Sequence, residues 1–184
     1  ERDYYAFSQY KAFRSSLVNQ GFDIMTLTLD TLNAIPNHVD ILVISDVRTS
    51  LSDKEQKIIE EYIAQGGNLL IAGEPRRQQQ MNPLLAPLGL AFMPGILAQA
   101  NKDFNADLIL ASFTQASGEL TNLFYRMYRY GDKVTMPTAT GIQQVEDKGF
   151  TVTPLLTTDS LGSWNEVETT NFVEDTARIN PEIG

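Results

Sequence analysis

Two carboxylates stand where chemistry is often found. Asp46 closes the run "DILVISD" (40–46) and Glu74 closes "NLLIAGE" (68–74). Each acid follows a short apolar stretch of the kind that forms a buried parallel strand. In open α/β sheets, ligands and catalytic groups gather at the edge where such strands run out. Two acids at one edge can hold a hard divalent cation through oxygen ligands, or divide acid and base work if their surroundings separate their pKa values. The plainer alternative is also concrete: Asp46 caps a turn, and Glu74 pairs with Arg48, Arg76 or Arg77. Polar residues commonly end strands in this way, and the plainer reading is preferred. Asp46, Arg48, Glu74 and Arg76 are therefore carried forward as a speculative ligand-binding set, with no catalytic residue and no metal site assigned.

Other routes to catalysis lack a residue type. A Ser–His–Asp or Cys–His mechanism needs an imidazole as base, and the single histidine, His38, sits in a polar loop beside Pro36 and Asn37. The absence of cysteine removes thiolate nucleophiles, disulfides, thiolate zinc sites and iron–sulfur clusters together. No glycine pattern matches a phosphate-cradling loop, and Gly66-Gly67 closes a helix instead of opening one. No cofactor is expected. The acidic groups Asp103/Asp107 and Glu166/Glu168/Glu174/Asp175 read as solvated faces. Trp164 and the tyrosines at 4–10 and 125–130 read first as core; if exposed, they would suggest a protein-contact surface.

Composition narrows the class further. The 184 residues are 42% apolar and 20% charged, which is ordinary globular composition and enough for one sizeable core. Net charge is −9, from 23 acidic and 14 basic side chains, which argues against nucleic acid as a partner because phosphate binding needs a basic face. Arg76-Arg77 and Arg126/Arg129 are the only basic clusters. No apolar run reaches the roughly 18–20 residues needed to span a bilayer, and no signal peptide is visible. The chain starts at Glu1 without a methionine and ends "RINPEIG". It is read as a fragment of a longer membrane-anchored protein, touching the membrane only through segments outside this sequence.

The elements that would position these residues follow from periodicity. Residues 4–20 place Phe7, Tyr10, Phe13 or Arg14, and Leu17 at helical spacing, with Gly21 as the stop. "FDIMTLTL" (22–29) alternates like a strand, and 40–46 suits a strand covered on both faces. Ser52 and Glu55 form a capping box, Ile58, Ile59, Tyr62 and Ile63 make one apolar stripe, and Gly66-Gly67 end that helix before the strand at 68–74. A right-handed parallel crossover over 40–74 follows. Beyond it, "MNPLLAPLGLAFMPG" holds a short helix, while 107–113 and 133–140 read as strands. Leu120, Leu123, Phe124 and Met127 share one helical face, and 150–156 reads as an edge strand because of Pro154. The chain after Trp164 reads as polar and loosely packed. The expected fold is a single α/β domain over 1–184: an open, mostly parallel, flavodoxin-like sheet with helices on both faces. Its core would span about 4–115, with an elaborated C-terminal half at about 116–184.

Three stretches in order carry a family resemblance: "DILVISDVRTSLSDKEQKIIEEYIAQGGNLLIAGEP", "MNPLLAPLGL" and "FTVTPLLTTDSLGSW". Together they resemble the soluble domain of ABC-transporter auxiliary proteins, the group that includes the gliding-motility-associated transporter component of Bacteroidetes. The resemblance covers roughly residues 20–170. It implies a class I glutamine-amidotransferase-like fold without that fold's catalytic cysteine, and an extracytoplasmic, periplasmic domain anchored at the cell envelope. It also implies permease and ATPase subunits as partners and a non-catalytic accessory role, with no catalytic residues to carry over. The alternatives from the residues alone stay open: a divalent-metal- or carboxylate-dependent hydrolase at the sheet edge, or a carbohydrate- or peptide-binding module.

Overall fold

The computed structural model describes residues 17, 19–45, 47–100, 103–168 and 171–172. The chain divides into two compact units, Glu1–Gly73 and Glu74–Gly184. Strands and helices are mixed in small sheets, and no sheet among the described residues closes into a barrel.

In the first unit, β1 (Ile41–Ser45) pairs in parallel with β2 (Asn68–Ala72), in the register Val43 opposite Leu70. Helix α1 (Asp53–Ala64) joins them. It starts where it does because the Ser52 hydroxyl accepts the Glu55 amide, while Glu55 Oε2 accepts the Ser52 amide at 2.8 Å and its hydroxyl at 2.7 Å. Ile58 and Ile59 are buried and Tyr62 and Ile63 half-buried, so the stripe read from the sequence is the inward face. The Tyr62 hydroxyl donates within reach of the carbonyls of Val39 (3.2 Å) and Asn68 (3.3 Å), tying the helix end to both strand entrances. The Tyr62 ring also explains Gly67: a Cβ there would lie 2.3 Å from it.

The second unit holds α2 (Gln78–Leu85), β3 (Leu90–Phe92), β4 (Ile96–Gln99), β5 (Leu108–Phe113), α3 (Gln115–Gly118), α4 (Asn122–Tyr130), β6 (Lys133–Pro137), β7 (Ile142–Gln144), β8 (Leu156–Thr157) and β9 (Ser163–Glu166). Here β3 pairs with β7, β4 with β9, and β5 with both β6 and β8. Met81, Leu84, Leu85 and Phe92 are buried, as are Ile109 and Ala111 of β5. Ile96, Ala98 and Phe172 form a cluster on which Ala106 and Trp164 pack. Asn82 locks α2 to β3 by accepting the Phe92 amide at 2.9 Å, and Gln78 donates to the Met93 carbonyl at 2.8 Å.

Several expectations change. The sheet is not mostly parallel: β1/β2 is the only parallel pairing described, and the other four are antiparallel. Connection length does not decide it: residues 114–132 between β5 and β6 are long enough for a parallel crossover, yet the two strands run antiparallel. Apolar runs signal strands but carry no direction. Residues 22–28 form no strand; alternation supplies a face but not a ladder partner. Ile41, Val43 and Leu70 are exposed, so α1 covers one face of the β1/β2 pair and the other face is open among the described residues. The strand expected at 150–156 shrinks to β8, with the Pro154 and Leu155 carbonyls accepting the Thr114 hydroxyl and amide. Chain beyond Trp164 is not loosely packed throughout, since Glu166 and Phe172 are buried. The helix read over 4–20 lies almost wholly outside the described residues.

Candidate functional site

The residues that opened the sequence reading are divided between the two units. Asp46 lies outside the described residues. Arg48, in the first unit, is exposed. Glu74 opens the second unit, two residues past the end of β2, and is exposed. Arg76 is exposed in a turn at φ 66°, a left-handed conformation that non-glycine residues seldom adopt. His38 faces Met25, with its Nε2 3.3 Å from the sulfur. Among the described residues, no group of three His, Cys, Asp or Glu side chains is placed to hold a metal ion.

Polar chemistry is concentrated elsewhere, in the second unit. Gln99, buried at the end of β4, accepts the Leu110 amide of β5 at 2.9 Å and donates to Asp159 Oδ2 at 3.0 Å. Lys133 at the start of β6 reaches the same carboxylate at 3.2 Å. The Gln99 amide thus stands in for a backbone ladder between β4 and β5. Glu166, expected on a solvated face, is fully buried; its Oε2 accepts the Trp164 indole N–H at 3.2 Å and its Oε1 the Glu168 amide at 2.8 Å. Sequence reasoning missed Glu166 because its charge suggested solvent although its partners are two residues away, and missed Gln99 because its partner is distant in sequence. Gln99 and Asp159 are 60 positions apart.

The exposed aromatic surface is α4. Thr121 caps its start by accepting the Phe124 amide at 3.1 Å, and Gly131 closes its end at φ 69°. Phe124 turns inward, its ring centroid 5.6 Å from that of Phe113 on β5, and Met127, one turn on, is half-buried. Leu120 and Leu123 do not join them. Both are exposed, as are Tyr125, Arg126, Tyr128, Arg129 and Tyr130. The predicted four-residue apolar face is therefore half core and half surface. The helix contains two arginines and no acid in a chain of net charge −9. Among the described residues neither guanidinium has an ion-pair partner.

Comparison with known proteins gives the context. A family model described as "ABC-type uncharacterized transport system" matches residues 3–182. The chain belongs to this family. That membership associates it with an ABC-type transport system. Among solved structures, the "mmIFT52 N-terminal domain" is similar at 14% identity and a TM-score of 0.51, over 71% of this chain and 59% of that one. At that identity the likeness concerns the mixed α/β fold alone, and the chain spans less than two thirds of that structure's length. No curated protein matches it significantly. Among the described residues no helix is long and apolar enough to cross a membrane.

Proposed function

We propose that this chain is the extracytoplasmic, non-catalytic domain of an auxiliary protein in an ABC-type transport system. In this reading it is part of a longer protein held at the cell envelope by membrane segments outside this sequence. It engages the permease, and through it the ATPase. The observation that carries the reading is the family match over residues 3–182. Residue chemistry supports it: with no cysteine and one histidine, the chain has no thiol–imidazole pair with which an amidotransferase-like scaffold would work. The finer assignment, to the gliding-motility subgroup and a class I glutamine-amidotransferase-like fold, rests on the ordered sequence motifs.

The test is affinity capture of the full-length protein from its native membranes, with partners identified by mass spectrometry. Recovery of permease and ATPase subunits of one transporter is expected. Recovery of the protein alone, from membranes in which those subunits are expressed, overturns the reading. Protease accessibility in intact and permeabilised cells tests the location: the domain should be cleaved only once the outer barrier is opened.

A further inference from the structure

The geometry points to α4 as the docking face of this domain, and to its occupant as a carboxylate-bearing protein segment of the transport system; this rests on the reading under Proposed function. At about 100° of rotation per residue, Tyr125, Arg129, Arg126, Tyr130 and Leu123 follow one another around a continuous arc of roughly 160°. All five are exposed, Tyr130 at 76%. Phe124 and Met127 lie on the opposite arc, where Phe124 packs on Phe113 of β5 and Met127 is half-buried, so the exposed arc is spared from core packing.

Composition and charge select the occupant. Tyrosine and arginine are the side chains most enriched where partners bind, because each offers large contact area with a polar tip. Two guanidinia three residues apart present forked donors whose geometry matches carboxylates. Neither has an acidic partner among the described residues, although the chain carries an excess of nine negative charges. An anionic bilayer fits less well. A helix lying in a membrane interface needs its apolar face free to enter the lipid, and here that face is turned onto Phe113. The net negative charge of the chain also opposes approach to anionic headgroups. Leu123 and the two flanking tyrosines then supply apolar contact around the paired charges.

The test places a photocrosslinking residue at Tyr130 of the full-length protein in native membranes, with Glu60 on the exposed side of α1 as the control position. An adduct with the permease from Tyr130 and not from Glu60 is expected. The double variant Arg126→Glu/Arg129→Glu should lower that adduct about tenfold or more while leaving the urea midpoint of the domain unchanged. If wild type captures the transporter and the double variant captures it equally well, the docking face is wrong and the accessory role stands. If wild type captures no transporter, the accessory role fails and this inference fails with it. An adduct to a second copy of the chain, to another part of the same chain or to lipid overturns the inference, as does the absence of any adduct.

Discussion

Replacing Gln99 by leucine tests how the second unit is held together. The amide is 7% exposed and bridges β4 to β5 through the Leu110 N–H, while its NH₂ engages Asp159. Gln99→Leu keeps the volume but leaves the Leu110 N–H, in a half-buried strand, without its acceptor. An orphaned donor in such a place costs about 1–3 kcal/mol, and the bond itself contributes about 1 kcal/mol. The bond to Asp159 counts for less than a buried charged pair, because that carboxylate is 42% exposed and water and Lys133 can replace the lost donor. Apolar burial of the leucine returns about 1 kcal/mol. The expected net loss is about 2 kcal/mol, or roughly a 1 M fall in urea midpoint for a slope near 2 kcal/mol/M. Trp164, the single tryptophan, lies opposite Ala98 on the neighbouring strand, so its fluorescence follows the transition where the damage is done. Gln99→Glu sharpens the test: it sets a second carboxylate against Asp159, so it should be worse than leucine at neutral pH and recover as the pair is protonated on acidification. A loss below about 0.5 kcal/mol for Gln99→Leu, or no acid recovery for Gln99→Glu, refutes the bridging role.

Four further outcomes are expected. Ser52→Ala should cost about 1 kcal/mol in urea unfolding. The Ser52 amide and then its hydroxyl hold the Glu55 carboxyl below the ordinary glutamate range, so the capping box stabilises above that range and is lost as pH falls through the lowered value; Glu55→Gln should flatten this acid limb of the stability curve. Gly95→Ala should destabilise by more than 1 kcal/mol, since Gly95 sits at φ 81° and a Cβ would lie 2.3 Å from the Glu166 carbonyl oxygen. Phe124→Ala should cost about 3 kcal/mol, while Leu123→Ser on the exposed arc stays within about 0.5 kcal/mol by the same assay. Calorimetry with magnesium or calcium should give no binding heat for wild type, Asp46→Asn or Glu74→Gln; a millimolar or tighter site abolished by either substitution would revive the carboxylate reading.

What could be read from the sequence was what local chemistry decides. The Ser52/Glu55 box, the Ile58/Ile59 stripe and the Gly66-Gly67 stop each involve residues within one or two helical turns, and all appear as expected. That a helix lies at α4 was legible for the same reason, through the spacing of Leu120, Leu123, Phe124 and Met127, whereas its Thr121 and Gly131 ends are findings of the structure. What the helix buries was not, because the choice between Leu123 and Phe124 is made by Phe113, which lies on another element. Strand direction was missed because an apolar run looks the same whichever way its neighbour runs. Glu166 was misjudged because charge suggests solvent, whereas here β9 carries it inward and Trp164 and the Glu168 amide receive it.

The accessory role is tested most directly by the reciprocal capture: tag the ATPase subunit of the partner transporter, solubilise native membranes gently, and measure how much of this protein comes with it. The account predicts recovery in a fixed ratio to the permease, lost when the permease is deleted even if the ATPase is still made. Recovery of the intact permease–ATPase complex with none of this protein, from membranes that contain all three, would contradict it.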